Sequence, residues 1–129
     1  MRYLHGMHLE SAISRGKTVE QFLGGFDHQG EDAIRFLTIR KEGEEFWLQL
    51  HELLDQGTED LCDVYSFDYI SLPEDEFEPA PLKFESWQDA LAHAHAEFSA
   101  VPERWGNEGM VQEEYADFIR AGRKSGGSQ

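Results

Sequence analysis

The 129-residue chain has one cysteine, Cys62, and no long apolar run. A single cysteine excludes an internal disulfide, which favours a reducing compartment such as the cytoplasm. No stretch approaches the roughly 18 apolar residues that a membrane-spanning helix needs, and the first residues lack the apolar core of a signal peptide. We therefore expect a cytoplasmic protein that does not bind membranes.

Basic residues are also scarce. Eleven Lys and Arg oppose 26 Asp and Glu, which gives a formal net charge of −15. A surface this negative repels nucleic-acid phosphates and attracts basic proteins through long-range steering. The chain nevertheless has the composition of a folded protein, because 40% of its residues are hydrophobic and 12% are aromatic. We expect a basic protein as partner, and no nucleic acid.

Two segments predict a β-hairpin in the middle of the chain. Residues 34–40 and 45–53 are rich in apolar side chains, and Glu42-Gly43 supplies a turn glycine between them. A register that sets Ile39 opposite Phe46 gives one mainly apolar face. The second segment also fits a helical period, so a helix remains the alternative there.

The rest of the chain predicts helices near both ends and a third strand. Residues 19–23 favour a short helical turn, with a strand as the competing interpretation. Further predictions are helices over 7–15, from Ser86 to before Pro102 and over 110–121, loops over 27–32 and 105–109, a strand over 61–70, and an acidic, proline-containing loop over 72–82.

These elements predict an α+β fold in which an antiparallel β-meander of about three to four strands carries helices packed on one face. The length fits one domain, which we place over residues 1–122. Residues 123–129 are basic and rich in Ser and Gly, and we expect them to form a disordered tail.

The sequence contains no motif for catalysis, metal binding or nucleotide binding at the required spacing. His51 to Asp55 resembles the zinc-protease motif H-E-x-x-H, but aspartate replaces the second histidine and we predict a strand there. His5 and His8 lack the further ligands that a metal site needs. Cys62 has no evident base beside it. We therefore predict no metal, no cofactor and no enzymatic activity.

Two features predict surfaces for binding a partner. One is the second face of the predicted sheet, where Trp47 would lie with Thr38, Arg40, Gln49 and His51. The other is an acidic run around an aromatic anchor, formed by Glu74, Asp75, Glu76, Phe77 and Glu78. Trp47 and these five residues are the predicted partner-binding residues. Self-association through the Trp47 face is a further alternative.

In size, acidity and lack of a catalytic motif, the chain resembles in type the small cytosolic immunity proteins that bacteria use to neutralise toxins. The resemblance implies a binding module that blocks a basic, nuclease-like site by presenting carboxylates where phosphates would lie. The alternative is a small enzyme or ligand-binding protein with a pocket between sheet and helices, in which His51 is the candidate acid–base group.

Overall fold

The computed structural model describes residues 3–58, 60–70 and 79–122, which form an α+β fold on one antiparallel sheet. The elements are α1 (Met7–Ser14), β1 (Val19–His28), β2 (Glu31–Glu42), β3 (Glu45–Leu54), β4 (Leu82–Phe84), α2 (Trp87–Glu97), β5 (Gly106–Asn107) and α3 (Met110–Arg120). The strand order is β4-β3-β2-β1-β5. The predicted fold class is confirmed, with five strands instead of three to four.

The central hairpin joins β2 to β3. β3 is a strand, as predicted, but the pairing is displaced by two residues, because Ile39 lies opposite Leu48 and not opposite Phe46. Gly43 has a φ of +65°, which glycine adopts without strain, and the turn is therefore at Gly43-Glu44. Side chains alternate along a strand with a period of two, so this displacement leaves each of them on its predicted face.

Residues 19–23 belong to β1, so the favoured prediction of a helical turn is wrong and the competing strand is correct. β1 pairs with β2 on one side and with β5 on the other. This tertiary pairing outweighs the local preference of a short segment. β1 and β2 also extend into the predicted loop at 27–32 and leave a turn at Gln29-Gly30, and β5 lies within the predicted loop at 105–109.

The predicted strand over residues 61–70 is wrong. This segment contains a 3₁₀ helix, Val64–Ser66, and two isolated bridges, one between Leu61 and Thr58 and one between Tyr69 and Leu53. Val64 and Phe67 are both buried, and a separation of three residues is that of a 3₁₀ turn and not of a strand. The strand beside β3 is instead β4, which begins inside the predicted acidic loop. Residues 72–78 of that loop and the predicted tail lie outside the described residues.

α1 and α2 pack against one side of the sheet, the first face. The main strand residues in this apolar cluster are Val19, Leu37, Ile39, Phe46 and Leu48, and the helices add Leu9, Ile13, Ala90 and Ala94. Removing one large aliphatic side chain from water stabilises the fold by about 1.5–3 kcal/mol, so this cluster is a major part of the core. No helix of the described ranges is long and apolar enough to cross a membrane.

α3 packs against one end of the opposite side, the second face, so the prediction that the helices pack on one face is wrong for α3. Its Val111 and Phe118 belong to an apolar cluster that includes Ile34 of β2 and Leu53 of β3. At Gly25 of β1, a Cβ would lie only 2.6 Å from Phe118 Cζ, so glycine allows the helix to approach the sheet closely. The other end of the second face carries polar side chains and forms the candidate site.

Ser86 caps α2, as predicted: its Oγ accepts a hydrogen bond from the backbone N–H of Asp89 over 3.1 Å. We expect Ser86→Ala to lower the free energy of unfolding by about 1 kcal/mol, because a helix N–H loses its acceptor. Urea denaturation followed by circular dichroism measures the change. Ser86→Asp, which keeps an acceptor, is the control, and an unchanged midpoint in Ser86→Ala would show that the cap contributes nothing.

Candidate functional site

The polar end of the second face forms a pocket, which we call the sheet-face pocket. The strand register determines which side chains form the floor of this pocket. Thr38 of β2 lies opposite Glu20 of β1 and Gln49 of β3, and Phe36 lies opposite His51. Because directly opposed residues project from the same face of a sheet, these side chains form two adjoining rows.

Two loops form the walls of the pocket. Tyr65 and Tyr69 come from the segment after β3, and Glu108 comes from the turn before α3. Arg40 of β2 also lines the pocket, whose volume is about 240 Å³. The cavity therefore combines aromatic rings, two carboxylates, one imidazole and one guanidinium on a sheet face.

Glu20 is a buried carboxylate, with only 1% of its surface exposed. Its Oε1 accepts hydrogen bonds from the backbone N–H groups of Gly109 (3.0 Å) and Val111 (3.3 Å), and the Tyr65 hydroxyl donates to its Oε2 over 2.5 Å. α3 has no capping side chain at its own N-cap residue. A carboxylate from β1 thus satisfies the first N–H groups of α3 and opposes the positive end of its dipole.

The environment of this carboxylate also shifts two pKa values. Burial raises the pKa of Glu20 above its ordinary value, and the three hydrogen-bond donors oppose that rise without cancelling it. The nearby Glu108 carboxylate adds to the rise. Burial and the contact with Glu20 raise the pKa of Tyr65 as well, so its phenol stays neutral and acts as a donor.

We expect Glu20→Gln to change how stability depends on pH. A carboxyl group whose pKa is higher in the folded state favours folding below its ordinary value of 4.5, and this contribution is lost as the pH rises through the folded-state pKa. Glutamine keeps an oxygen for the N–H groups of α3 but does not titrate. The free energy of unfolding of Glu20→Gln, relative to wild type, should therefore increase as the pH rises from about 4.5 through the folded-state pKa of Glu20.

Urea denaturation of both proteins at several pH values in that range measures this difference. Glu97→Gln is the matched control, because Glu97 is exposed on α2, on the other side of the sheet. The difference in free energy of unfolding between Glu97→Gln and wild type should stay nearly constant over the same pH values. A constant or decreasing difference for Glu20→Gln would contradict the raised pKa.

His51 is held in the floor of the pocket. Its ring stacks on Phe36, with centroids 4.5 Å apart and planes 10° apart. Its Nε2 lies 3.0 Å from Thr38 Oγ1, and its Nδ1 lies 2.8 Å from the Tyr69 hydroxyl. A neutral imidazole has one donor and one acceptor nitrogen, and hydroxyl groups serve either partner. These contacts fix the imidazole and hold Tyr69 at the wall.

Arg40 and Trp47 mark one edge of the pocket. Arg40 Nη1 donates to Gln49 Oε1 over 2.8 Å, and its Nε lies 2.8 Å from Glu42 Oε2. Trp47 lies opposite Arg40 and so projects from the second face, as predicted. Its ring centre is 5.2 Å from Arg40 Cζ and 4.8 Å from Lys83 Nζ. Trp47 is partly exposed, and it flanks the pocket beyond Arg40.

The other predicted partner-binding residues, Glu74, Asp75, Glu76, Phe77 and Glu78, lie outside the described residues. The residues that flank this segment are described. The Ile70 N–H donates to the Glu52 carbonyl over 3.1 Å, and the Pro79 carbonyl accepts from Gln49 Nε2 over 2.7 Å. Both flanking residues thus contact β3 near the pocket.

The sequence pattern misses both carboxylates of this site. Glu20 is missed because residues 19–23 favour a helical turn, although an acidic residue within an otherwise apolar segment is itself a signal of a buried, partnered carboxylate. Glu108 has no such signal, since only the tertiary structure brings it to the pocket. Within the described ranges, no group of three or more His, Cys, Asp or Glu is placed to hold a metal ion.

Comparisons with protein-family models, with curated proteins and with solved structures gave no significant match.

Proposed function

We propose that the chain is a protein-binding module that recognises a basic protein through the sheet-face pocket and its acidic surroundings. The main support for the proposal is the concave sheet face. On it, a buried carboxylate, Glu20, and an exposed carboxylate, Glu108, lie among aromatic rings. In a chain with a net charge of −15, such a face is complementary to positive side chains.

The most specific form of this proposal is an immunity or inhibitor protein that acts in the bacterial cytoplasm on a basic toxin or enzyme. Such a partner binds anionic substrates, and carboxylates placed against its basic site would exclude them. The partly exposed Trp47 and the acidic run around Phe77 are then the proposed partner-binding residues. Aromatic side chains at such positions anchor many protein interfaces.

A small enzyme or ligand-binding protein is the second candidate, because His51 lines the pocket. Two observations favour a protein partner over it. The volume of about 240 Å³ is below the range of about 300–1,000 Å³ that is usual for small-molecule sites. Both ring nitrogens of His51 also already have hydroxyl partners, Thr38 and Tyr69. Turnover in a hydrolase screen that His51→Ala abolishes would favour the enzyme.

Affinity capture from the native cell extract, followed by mass spectrometry and reconstitution from purified components, tests the proposal. We expect a captured protein of net positive charge that forms a complex with the purified chain. Failure of every captured candidate to reconstitute, or reconstitution only with acidic proteins, would contradict the proposal. Recovery of the chain itself would instead favour self-association through the Trp47 face.

A further inference from the structure

We infer that the sheet-face pocket receives one basic side chain of the partner, an arginine or a lysine. The inference rests on the proposed function and specifies the chemical group that the pocket takes. Aromatic faces and carboxylates are the two kinds of group that attract a cation leaving water, and this pocket is lined by both.

The aromatic rings leave space for such a side chain. Phe36 and His51 are stacked in the floor. Tyr65 stands edge-on to Phe36, with ring centroids 6.0 Å apart and planes 84° apart, and Tyr69 lies 6.0 Å from His51. The remaining volume of about 240 Å³ fits a single side chain better than a cofactor-sized molecule.

The charges of the pocket favour a cation. Glu20 is fixed by its three donors, and Glu108 is exposed at the mouth of the pocket. Glu108 contributes to the raised pKa of Glu20, so the two negative charges repel each other. A cation bound near both carboxylates relieves this repulsion. Among the described residues that line the pocket, Arg40 is the only Lys or Arg, and its Nε already lies 2.8 Å from Glu42 Oε2.

Chemical-shift mapping with three small probes tests the inference: the acetylated amides of arginine, lysine and citrulline. Citrulline has nearly the shape of arginine without its charge. We expect saturable shifts of the Thr38, Tyr65 and Gly109 amides with at least one cationic probe and none with citrulline. A stronger response to arginine assigns a guanidinium, and a stronger response to lysine assigns an ammonium.

Two charge reversals make the test specific. Glu108→Lys places the chain's own cation at the pocket mouth, and Glu97→Lys makes the same change of net charge on exposed α2, on the other side of the sheet. We expect Glu108→Lys to weaken binding of the cationic probe by about tenfold or more and Glu97→Lys to change it by less than about twofold. Equal weakening in both variants, or shifts spread over the acidic surface, would overturn the inference.

Two results would separate the role of the pocket from the binding of a basic protein. A reconstituted complex with a basic protein whose affinity is the same with Glu108→Lys as with wild type would overturn the role of the pocket and leave the binding function intact. Saturable pocket shifts, in a chain that forms no complex with any basic protein of the extract, would support the pocket and overturn the binding function.

Discussion

Trp105→Ala is expected to lower the free energy of unfolding by about 3–5 kcal/mol. The total for a typical domain is only about 5–15 kcal/mol, so this is a large loss. Trp105 is completely buried in the apolar cluster on the first face. Its indole N–H also donates to His95 Nε2 over 3.0 Å. Alanine would leave a cavity and remove the donor of a partly buried imidazole.

Urea denaturation followed by circular dichroism measures this loss. Trp105→Phe is the informative comparison, because phenylalanine keeps much of the ring but lacks the N–H group. We expect the free energy of unfolding of Trp105→Phe to lie between those of wild type and Trp105→Ala. If Trp105→Ala lowered the free energy of unfolding by less than about 1 kcal/mol, Trp105 would not be tightly packed in the core.

Arg104→Met is also expected to have a large effect and to lower the free energy of unfolding by about 2–3 kcal/mol. The Glu114 side chain is 4% exposed, and its Oε1 lies 2.8 Å from Arg104 Nη2. The Tyr3 hydroxyl donates to its Oε2 over 2.9 Å. The substitution breaks the ion pair of a buried carboxylate with Arg104, and breaking a buried ion pair usually costs about 3–5 kcal/mol. The Arg104 side chain is 51% exposed, and solvent screening reduces the expected cost.

A double-mutant cycle separates this charge effect from a loss of packing. Glu114→Gln removes the negative charge, so adding it to Arg104→Met should recover about half of the lost stability or more. The same urea measurements on the four proteins give the coupling free energy. Additive effects of the two substitutions would show that the ion pair does not stabilise the fold.

The fold class was predictable because local patterns specify several elements. Alternation over residues 34–53 predicts the hairpin and its two faces, and Ser86 predicts the start of α2. The exact register was not predictable, since a displacement by two residues keeps the same faces and only the backbone at Gly43 decides it. The start of β1 was mispredicted because its contacts are not local in sequence: Val19 pairs with Ile39, at the far end of β2, and with Asn107 of β5.

The site was predictable in part for the same reason. Alternation along β2 and β3 places Thr38, Gln49 and His51 on one face, and the structure brings them into one pocket. Glu20 and Glu108 depend on the pairing of β1 and on where α3 begins, and neither is a local property of the sequence. The carboxylates on which the proposed binding depends are therefore the part that required the structure.

An acidic sheet face that binds a basic protein should associate with it at a rate that depends on salt, and stopped-flow mixing with the reconstituted partner measures that rate. Raising the salt concentration from about 10 mM to about 150 mM shortens the screening length from about 30 Å to about 8 Å. We predict that the association rate constant falls by about tenfold or more over this range. An association rate that is insensitive to salt would contradict the claim, and the net charge of −15 would then serve solubility alone.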